Sequence, residues 1–190
     1  SSKCLKVAVI GSGPSGFYAV NALLKHHPEI FIDIFDKLPT PFGLIRGGVA
    51  PDHQQMKNLA HYFDKTVKNN PEKCRFFGNL TIGRDIPIDE LRQHYHAIIF
   101  AYGAETDKKL NIPGEDLIGA RTATGFVGWY NGHPEFSNRQ YDLSQKNAII
   151  IGMGNVAIDV CRILCKSHEE LRKTDMPDYA LSTLSESKIK

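Results

Sequence analysis

The sequence predicts an α/β protein with two domains, each a parallel sheet between layers of helices. Two observations carry this prediction. In residues 5–25 a short apolar run, a glycine-rich turn and a helical pattern follow one another directly. The same order recurs about 140 residues later, in residues 147–166. Because strand-turn-helix units of this kind hold the phosphates of nucleotides, we expect two Rossmann-like dinucleotide-binding domains.

The composition limits the classes of protein to which the chain can belong. Of the 190 residues, 42% are hydrophobic and 23% are charged, and the formal net charge is +2. These values are typical of a globular chain of one domain to a domain and a half. The weak net charge and the lack of a basic run give no reason to expect nucleic acid binding. No apolar run approaches the roughly 20 residues that span a bilayer, and the first residues carry no targeting pattern.

Periodicity and turn residues place the elements of the first domain. Residues 5–10 are predicted to form a buried strand, a helix runs to about residue 25, and residues 30–36 form a second strand. Residues 37–52 are rich in Pro and Gly and are expected to form an ordered loop that faces a ligand. Further predicted elements are a helix through Met56, Leu59, Phe63 and Val67, a strand over 76–82, a helix over 88–95 and a strand over 97–101.

The second domain begins beyond residue 107. Residues 111–145 lack long periodic elements and are interpreted as a crossing between domains. A strand is predicted over 147–151 and a helix up to about residue 166, and residues 188–190 alternate as if entering another strand. We therefore expect domains over residues 1–107 and 108–190, both incomplete, in a fragment of a longer protein.

The first turn has the pattern Gly11-x-Gly13-x-x-Gly16 between a predicted strand and a predicted helix. In that context the three glycines allow the tight turn, the approach of a pyrophosphate to the backbone, and close packing of helix on strand. Asp36 ends the second strand, where an acidic side chain can accept hydrogen bonds from ribose hydroxyls. The sequence therefore predicts a dinucleotide site here.

The second turn has the pattern Gly152-x-Gly154-x-x-Ala157. Alanine in the third position is tolerated in nicotinamide sites. Two dinucleotide sites in one chain indicate that one cofactor reduces another, with nicotinamide donating a hydride and flavin releasing single electrons. Nothing in the sequence chooses between NADH and NADPH.

Single residues leave alternatives open. The four cysteines form no Cys-x-x-Cys, and Cys161 and Cys165 are interpreted as small buried residues on a helix. His53 ends the functional-looking loop, and a histidine suits proton handling near neutral pH. Trp129 and Tyr130 are interpreted as aromatic residues of a core or domain interface, with cofactor contact as the alternative.

Longer stretches of the chain resemble the adrenodoxin-reductase type of ferredoxin–NADP reductase. The resemblance extends over essentially all of the sequence and is most specific in the stretches VIGSGPSGFY (9–18), PFGLIR (41–46), GVAPDH (48–53), FGN (77–79), YGA (102–104), IPGE (112–115), FVGWYN (126–131) and GNVAxDVxRIL (154–164). It implies FAD in residues 1–107, NADP in residues 108–190, and electron transfer from NADPH through FAD to an adrenodoxin-type (2Fe-2S) ferredoxin, one electron at a time.

The resemblance also implies roles for particular residues. His53 and Asp159 are the candidate catalytic residues. His53 would lie near the flavin and serve in proton handling or positioning, and Asp159 would belong to a polar network, with a role as a cap or salt-bridge residue as the alternative. The residues that would contact FAD are Gly11, Gly13, Pro14, Ser15, Gly16, Asp36, Lys37, Gly43, Leu44, Arg46, Ile82 and Gly103. Those that would contact NADP are Gly152, Met153, Gly154, Asn155 and Val156.

The resemblance implies a monomer in the mitochondrial matrix, at the periphery of the inner membrane, or in the cytoplasm of a bacterium. We expect the isolated 190 residues to be inactive. Two alternatives remain open at this point: another two-dinucleotide flavoenzyme, such as a disulfide reductase or a glutamate synthase small subunit, and a nucleotide-binding module without turnover. The absence of Cys-x-x-Cys counts against a disulfide reductase.

Overall fold

A computed structural model describes residues 4–104 and 106–189 of the chain. These residues form two compact units. The first unit comprises residues 1–46 and 55–104, and the second comprises residues 47–54 and 105–190, in each case as far as they are described. The segment 47–54, called the inserted segment below, therefore belongs to the second unit although its chain neighbours on both sides belong to the first.

The first unit is built on a four-stranded parallel sheet. Its strands are β1 (Leu5–Ile10), β2 (Ile30–Phe35), β3 (Cys74–Phe77) and β4 (Ala97–Phe100). Their order across the sheet is β3-β2-β1-β4. In the register Leu5 pairs with Ile30, Val7 with Ala97 and Ile32 with Cys74. All carboxyl ends therefore meet at one edge, where open parallel sheets bind ligands.

Helices cover both faces of this sheet. The helices of residues 14–94 are α1 (Pro14–His26), α2 (Leu44–Gly47), α3 (Gln54–Lys57), α4 (Leu59–Lys68) and α5 (Ile88–His94). On one face Phe17 of α1 and Phe63 of α4 stack with ring centres 4.8 Å apart, over Ile32 and Ile34 of β2. On the other face Leu91 of α5 packs with Phe35. Each fully buried side chain of this kind contributes about 1.5–3 kcal/mol to the free energy of unfolding. The predicted three-layer α/β architecture is confirmed for this unit.

The second unit, in its described residues, is helical. It holds α6 (Ala123–Tyr130), α7 (Asn155–Cys165), α8 (His168–Leu171) and α9 (Asp178–Ser185). Its core contains Phe126, Trp129, Tyr130, Ile163, Leu171, Ala180 and Leu184, together with Ala50 of the inserted segment. Trp129 and Tyr130 are therefore core residues, the first of the two interpretations made from the sequence.

Helix α6 falls where no periodic element was predicted. Apart from Thr124 its residues are apolar or glycine, and six consecutive ones from Gly125 to Tyr130 are buried. A helix buried on all sides has no polar stripe to reveal a 3.6-residue period. Its glycines lie against side chains, since a Cβ on Gly128 would come within 2.2 Å of Phe136.

The strand predicted over residues 147–151 is wrong. These residues form no strand in the described chain, and Ile149 and Ile151 are 90% and 68% exposed. A strand requires a neighbour to take up its backbone hydrogen bonds, and the described residues of the second unit contain no strand. The same holds for residues 188–189, while residue 190 lies outside the described chain.

Two smaller expectations also need correction. The strand predicted over 76–82 is β3 at residues 74–77, and Ile82 forms only an isolated bridge with Ile86. Cys161 and Cys165 are exposed, not buried. The buried side of α7 is that of Ile163, and the two cysteines lie off it.

Candidate functional site

The first glycine turn joins β1 to α1 at the carboxyl edge of the sheet. Gly11 has a φ of +104°, and a Cβ there would lie 2.5 Å from the carbonyl oxygen of Ala101. A Cβ on Gly16 would lie 2.2 Å from the carbonyl oxygen of Gly11. Neither position admits a side chain, so β1, α1 and the end of β4 approach one another as the glycine pattern predicts.

Helix α1 begins with backbone N–H groups that no side chain caps. Gly13 is the N-cap residue, it supplies no side-chain hydrogen bond, and the first turn holds no acidic residue. Pro14 occupies the first helical position, where a missing N–H costs nothing. Ser15 is exposed beside it. Free N–H groups and the helix dipole together favour an anion at this end, and a pyrophosphate fits it.

Asp36 follows β2 and is tied to the turn through Ser12. The backbone N–H and the hydroxyl of Ser12 donate to Oδ2 of Asp36 at 2.8 and 2.5 Å. The N–H of Leu38 donates to Oδ1 at 2.9 Å. A carboxylate has about four acceptor positions, so Oδ1 retains one for a further donor such as a ribose hydroxyl. Ser12 could not be singled out from the sequence, because its place in Gly-x-Gly is the variable one.

The loop that contains Gly43 lies against the same turn. The N–H of Phe42 donates to the carbonyl oxygen of Ser12 at 2.9 Å. A Cβ on Gly43 would lie 2.8 Å from the Cα of Gly13, so the two backbones nearly touch. Leu44, the next residue, is 73% exposed. The structure therefore brings together Gly43, Leu44 and the first turn, three parts of the predicted flavin site.

The structure also places the remaining residues of the first unit that were predicted to contact FAD. Arg46 donates from Nε to the carbonyl oxygen of Pro41 at 3.2 Å, so it is held within its own loop. Lys37 follows Asp36 at the sheet edge. Ile82 packs against the Phe35–Leu91 core. Gly103 lies just beyond β4 with a φ of +75° and open space around its Cβ position.

The second glycine turn precedes α7 in the second unit. Gly152 has a φ of +132°, and Gly154 is the N-cap residue, again without a side-chain cap. No acidic residue occupies the first turn of α7. Met153, Asn155 and Val156 are exposed. The turn thus repeats the anion-favouring helix start of the first unit, with its backbone open to solvent.

A cluster of charged side chains joins α7 to the inserted segment. Arg162 donates from Nε and Nη2 to the two carboxylate oxygens of Asp52, at 2.5 and 2.8 Å. The same Nη2 lies 2.9 Å from Oδ1 of Asp159. Nζ of Lys166 lies 3.6 Å from Asp52, and Nδ1 of His53 lies 3.7 Å from Oδ1 of Asp159. The structure therefore places His53 and Asp159 together, and adds Asp52 and Arg162, which sequence reasoning did not select.

The Asp52 and Arg162 side chains of this cluster are partly shielded from water, and the pKa values of both are shifted from their ordinary values. Hydrogen bonding to Arg162 holds the pKa of Asp52 below its ordinary value, against an opposing effect of burial. The same pairing raises the pKa of Arg162. Burial, with a further effect of Asp159, raises the pKa of Tyr130, whose hydroxyl has no hydrogen-bond partner among the described residues. Asp52 and Arg162 therefore both stay charged at neutral pH.

A second polar cluster lies within the first unit, on the sheet. Asp33 of β2 is buried and accepts two hydrogen bonds from Arg75 of β3, at 2.8 and 3.0 Å. It accepts a third from the Tyr95 hydroxyl at 2.6 Å. Since Asp33 and Arg75 are register partners in adjacent strands, this cluster helps to fix the strand register.

Within the described part of the chain, no group of three or more His, Cys, Asp or Glu side chains is placed to hold a metal ion. Among the helices described for residues 4–104 and 106–189, none combines the length and apolar character needed to cross a membrane.

Comparison with known proteins gives consistent matches along the chain. The profile of a family described as pyridine nucleotide-disulphide oxidoreductase matches residues 5–186. The NADPH:adrenodoxin oxidoreductase, mitochondrial, of Arabidopsis thaliana is 49% identical over 191 residues, covering 100% of this chain and 39% of that protein. The NADPH-ferredoxin reductase FprA of Mycobacterium leprae (strain TN) is 48% identical over 183 residues, covering 94% of this chain and 40% of that protein.

A solved structure agrees with these matches. Mycobacterium tuberculosis FprA in complex with NADPH superimposes with a TM-score of 0.94 at 45% sequence identity, covering 98% of this chain and 42% of that one. The chain thus spans less than half the length of the relatives that it matches.

Proposed function

This chain belongs to the pyridine nucleotide-disulphide oxidoreductase family, and from that membership we propose that the whole protein is a flavoprotein that passes electrons from NADPH through FAD to a ferredoxin. The observation that carries the proposal is the 49% identity, along the whole chain, to a protein named NADPH:adrenodoxin oxidoreductase. The family description includes disulfide chemistry, but the sequence holds no Cys-x-x-Cys. Ferredoxin reduction is therefore the activity that we favour.

The first unit supplies the FAD site in this proposal. The uncapped start of α1 receives the pyrophosphate, with Gly13 and Gly43 leaving room for it. Asp36 accepts from the ribose through its remaining Oδ1 position. Ser15, Lys37, Leu44, Arg46, Ile82 and Gly103 are further proposed FAD contacts. FAD, when bound, accepts a hydride from NADPH and releases single electrons.

The second unit supplies the first part of the NADP site. Residues 152–156 present their backbone at the start of α7, where phosphate groups are favoured. Met153 contributes only its backbone, since its side chain is apolar and 94% exposed. The two compact units support the division into an FAD domain over residues 1–107 and an NADP domain over residues 108–190, apart from the inserted segment.

His53 and Asp159 are the proposed residues at the reacting end of the flavin. The 3.7 Å separation between His53 Nδ1 and Asp159 Oδ1 allows the carboxylate to orient the imidazole. His53 is exposed and is able to exchange protons with solvent. The role of His53 in this proposal is proton handling or positioning near the flavin.

The acceptor and the location follow the relatives. We propose an adrenodoxin-type (2Fe-2S) ferredoxin as the acceptor, since the relatives are named for adrenodoxin and ferredoxin. A monomer in the mitochondrial matrix, at the periphery of the inner membrane, fits the relatives named mitochondrial. The match to the Mycobacterium leprae protein leaves a bacterial source as the alternative.

Anaerobic titration of the whole protein tests the cofactor assignment. The purified protein should show flavin absorbance near one FAD per chain, because the first unit presents a built pyrophosphate site. One equivalent of NADPH should bleach that absorbance, and NADH should do so far more slowly. A colourless protein, or flavin that NADPH leaves oxidised, would contradict the proposal.

A further inference from the structure

We infer that Arg162 is a positioning residue that fixes the inserted segment, and with it His53, on the first helix of the second unit. The consequence for electron transfer rests on the proposed function, whereas the structural tie does not. One guanidinium group binds the carboxylate of Asp52, which precedes His53 in the chain, and that of Asp159, whose Oδ1 lies 3.7 Å from Nδ1 of His53.

The tie to the inserted segment is a two-point contact. Two nitrogens of Arg162 bind the two oxygens of Asp52, whose side chain is 11% exposed. Paired N–H···O bonds of this kind fix orientation as well as distance. The remaining contact of Nη2 with Asp159 locks the guanidinium to its own helix, at a separation of 2.9 Å. A lysine at position 162 would keep the charge but not the paired geometry.

The inserted segment is also held by contacts that do not involve Arg162, among them the fully buried Pro51. Its internal hydrogen bonds include the His53 N–H to the Ala50 carbonyl at 2.9 Å and the Gln54 amide to the Pro51 carbonyl at 2.9 Å. Ala50 is fully buried in the core of the second unit and anchors the middle of the segment. Asp52 anchors the end that carries His53, and Arg162 is its main partner, with Nζ of Lys166 farther away at 3.6 Å.

The same guanidinium also sets the second neighbour of His53. Asp159 Oδ1 accepts from Arg162 and lies 3.7 Å from Nδ1 of His53. Asp52 precedes His53 in the chain, and Asp159 faces it from α7. Loss of Arg162 therefore removes the paired contact of Asp52, leaving Lys166 at 3.6 Å, and the 2.9 Å contact of Asp159. Both neighbours of His53 are then held less firmly, although the imidazole itself is unchanged.

Hydrogen exchange on the whole protein tests the tie directly. In Arg162→Met the amides of residues 47–54 should exchange at least about tenfold faster than in the parent, because local opening of a segment follows the loss of its anchors. Arg162→Lys should fall between the two. Arg172→Met, at an exposed position of the same unit, should leave exchange of this segment unchanged. Unchanged exchange in Arg162→Met, with fluorescence of Trp129 showing a folded second unit, would overturn the inference.

A double-substitution experiment tests the consequence. Arg162→Met should lower kcat by about tenfold or more, since small displacements of a reacting group are costly, with KM for NADPH little changed. In a His53→Gln background the same change should lower kcat less than twofold, because Arg162 acts through His53. An equal fall in both backgrounds would show a general structural role and overturn the positioning role. If the whole protein oxidises no NADPH, the proposed function fails, and the exchange result alone decides the role of Arg162.

Discussion

At residue scale, Gly13 and Gly16 lie three positions apart, and an added methyl group should destabilise the fold at Gly16 but hardly affect it at Gly13. On Gly16 it would meet the carbonyl oxygen of Gly11 at 2.2 Å, and that backbone cannot move without opening the turn. On Gly13, whose φ is −76°, the nearest atom is the Cα of Gly43 at 4.0 Å. We expect Gly16→Ala to lower the free energy of unfolding by about 1–3 kcal/mol. Gly13→Ala should stay within about 0.5 kcal/mol of the parent.

Flavin retention should reveal the effect of Gly13→Ala that the free energy of unfolding does not show. Gly13→Ala places its methyl group where the pyrophosphate must approach the backbone, so the whole protein should fold but lose FAD on gel filtration. Urea unfolding and flavin absorbance of the same samples make the measurement. A Gly13→Ala protein that keeps one flavin per chain would show that the pyrophosphate does not bind at this turn.

At the scale of elements, the tie between α7 and the inserted segment should make the second unit sensitive to acid. The Asp52 pKa lies below its ordinary value of 3.8 in the folded chain. Folding therefore favours the ionised form, and its stabilisation is present above pH 3.8 and disappears as the pH falls through the lowered pKa. The free energy of unfolding should fall by about 1–3 kcal/mol, a value between those typical of exposed and of buried ion pairs.

Trp129 allows this to be measured, because it is the single tryptophan of the chain and lies in the core of the second unit. Urea unfolding followed by its fluorescence should show stability falling with pH below 4 in the parent. Asp52→Asn should be less stable at pH 7, and its stability should change less over the same range. Asp116→Asn, at an exposed position of the same unit, should behave as the parent does. An Asp52→Asn protein as acid-sensitive as the parent would be evidence against the pairing.

Elements in which apolar residues recur with a clear period could be predicted from the sequence, whereas elements without such a period could not. The first strand-turn-helix unit shows its apolar run and glycine spacing within 22 residues, from Leu5 to His26. Helix α6 lacks a polar stripe, and it contains glycines, which are more typical of loops than of helices. Residues 147–151 have the apolar character of a buried strand, yet a strand depends on a neighbour that local sequence does not reveal.

At the scale of the whole molecule, the division into units was the least accessible feature. The glycine turns indicated two nucleotide sites, and the boundary predicted near residue 107 lies close to the division of the units after residue 104. The sequence did not indicate that residues 47–54 leave the first unit. Asp52 and Arg162 stand 110 positions apart, and no local pattern connects them. Both occur in stretches that resemble adrenodoxin reductase, but the resemblance gave neither residue a role nor their contact.

The most direct test of the central claim follows the electrons through the whole protein. NADPH oxidation is coupled to reduction of cytochrome c, with and without an added (2Fe-2S) ferredoxin, and cytochrome c reports only single electrons that leave the flavin. We predict that cytochrome c is reduced rapidly when the ferredoxin is present and negligibly in its absence. Equal rates with and without the ferredoxin would contradict the account, since the flavin would then deliver electrons without the proposed partner.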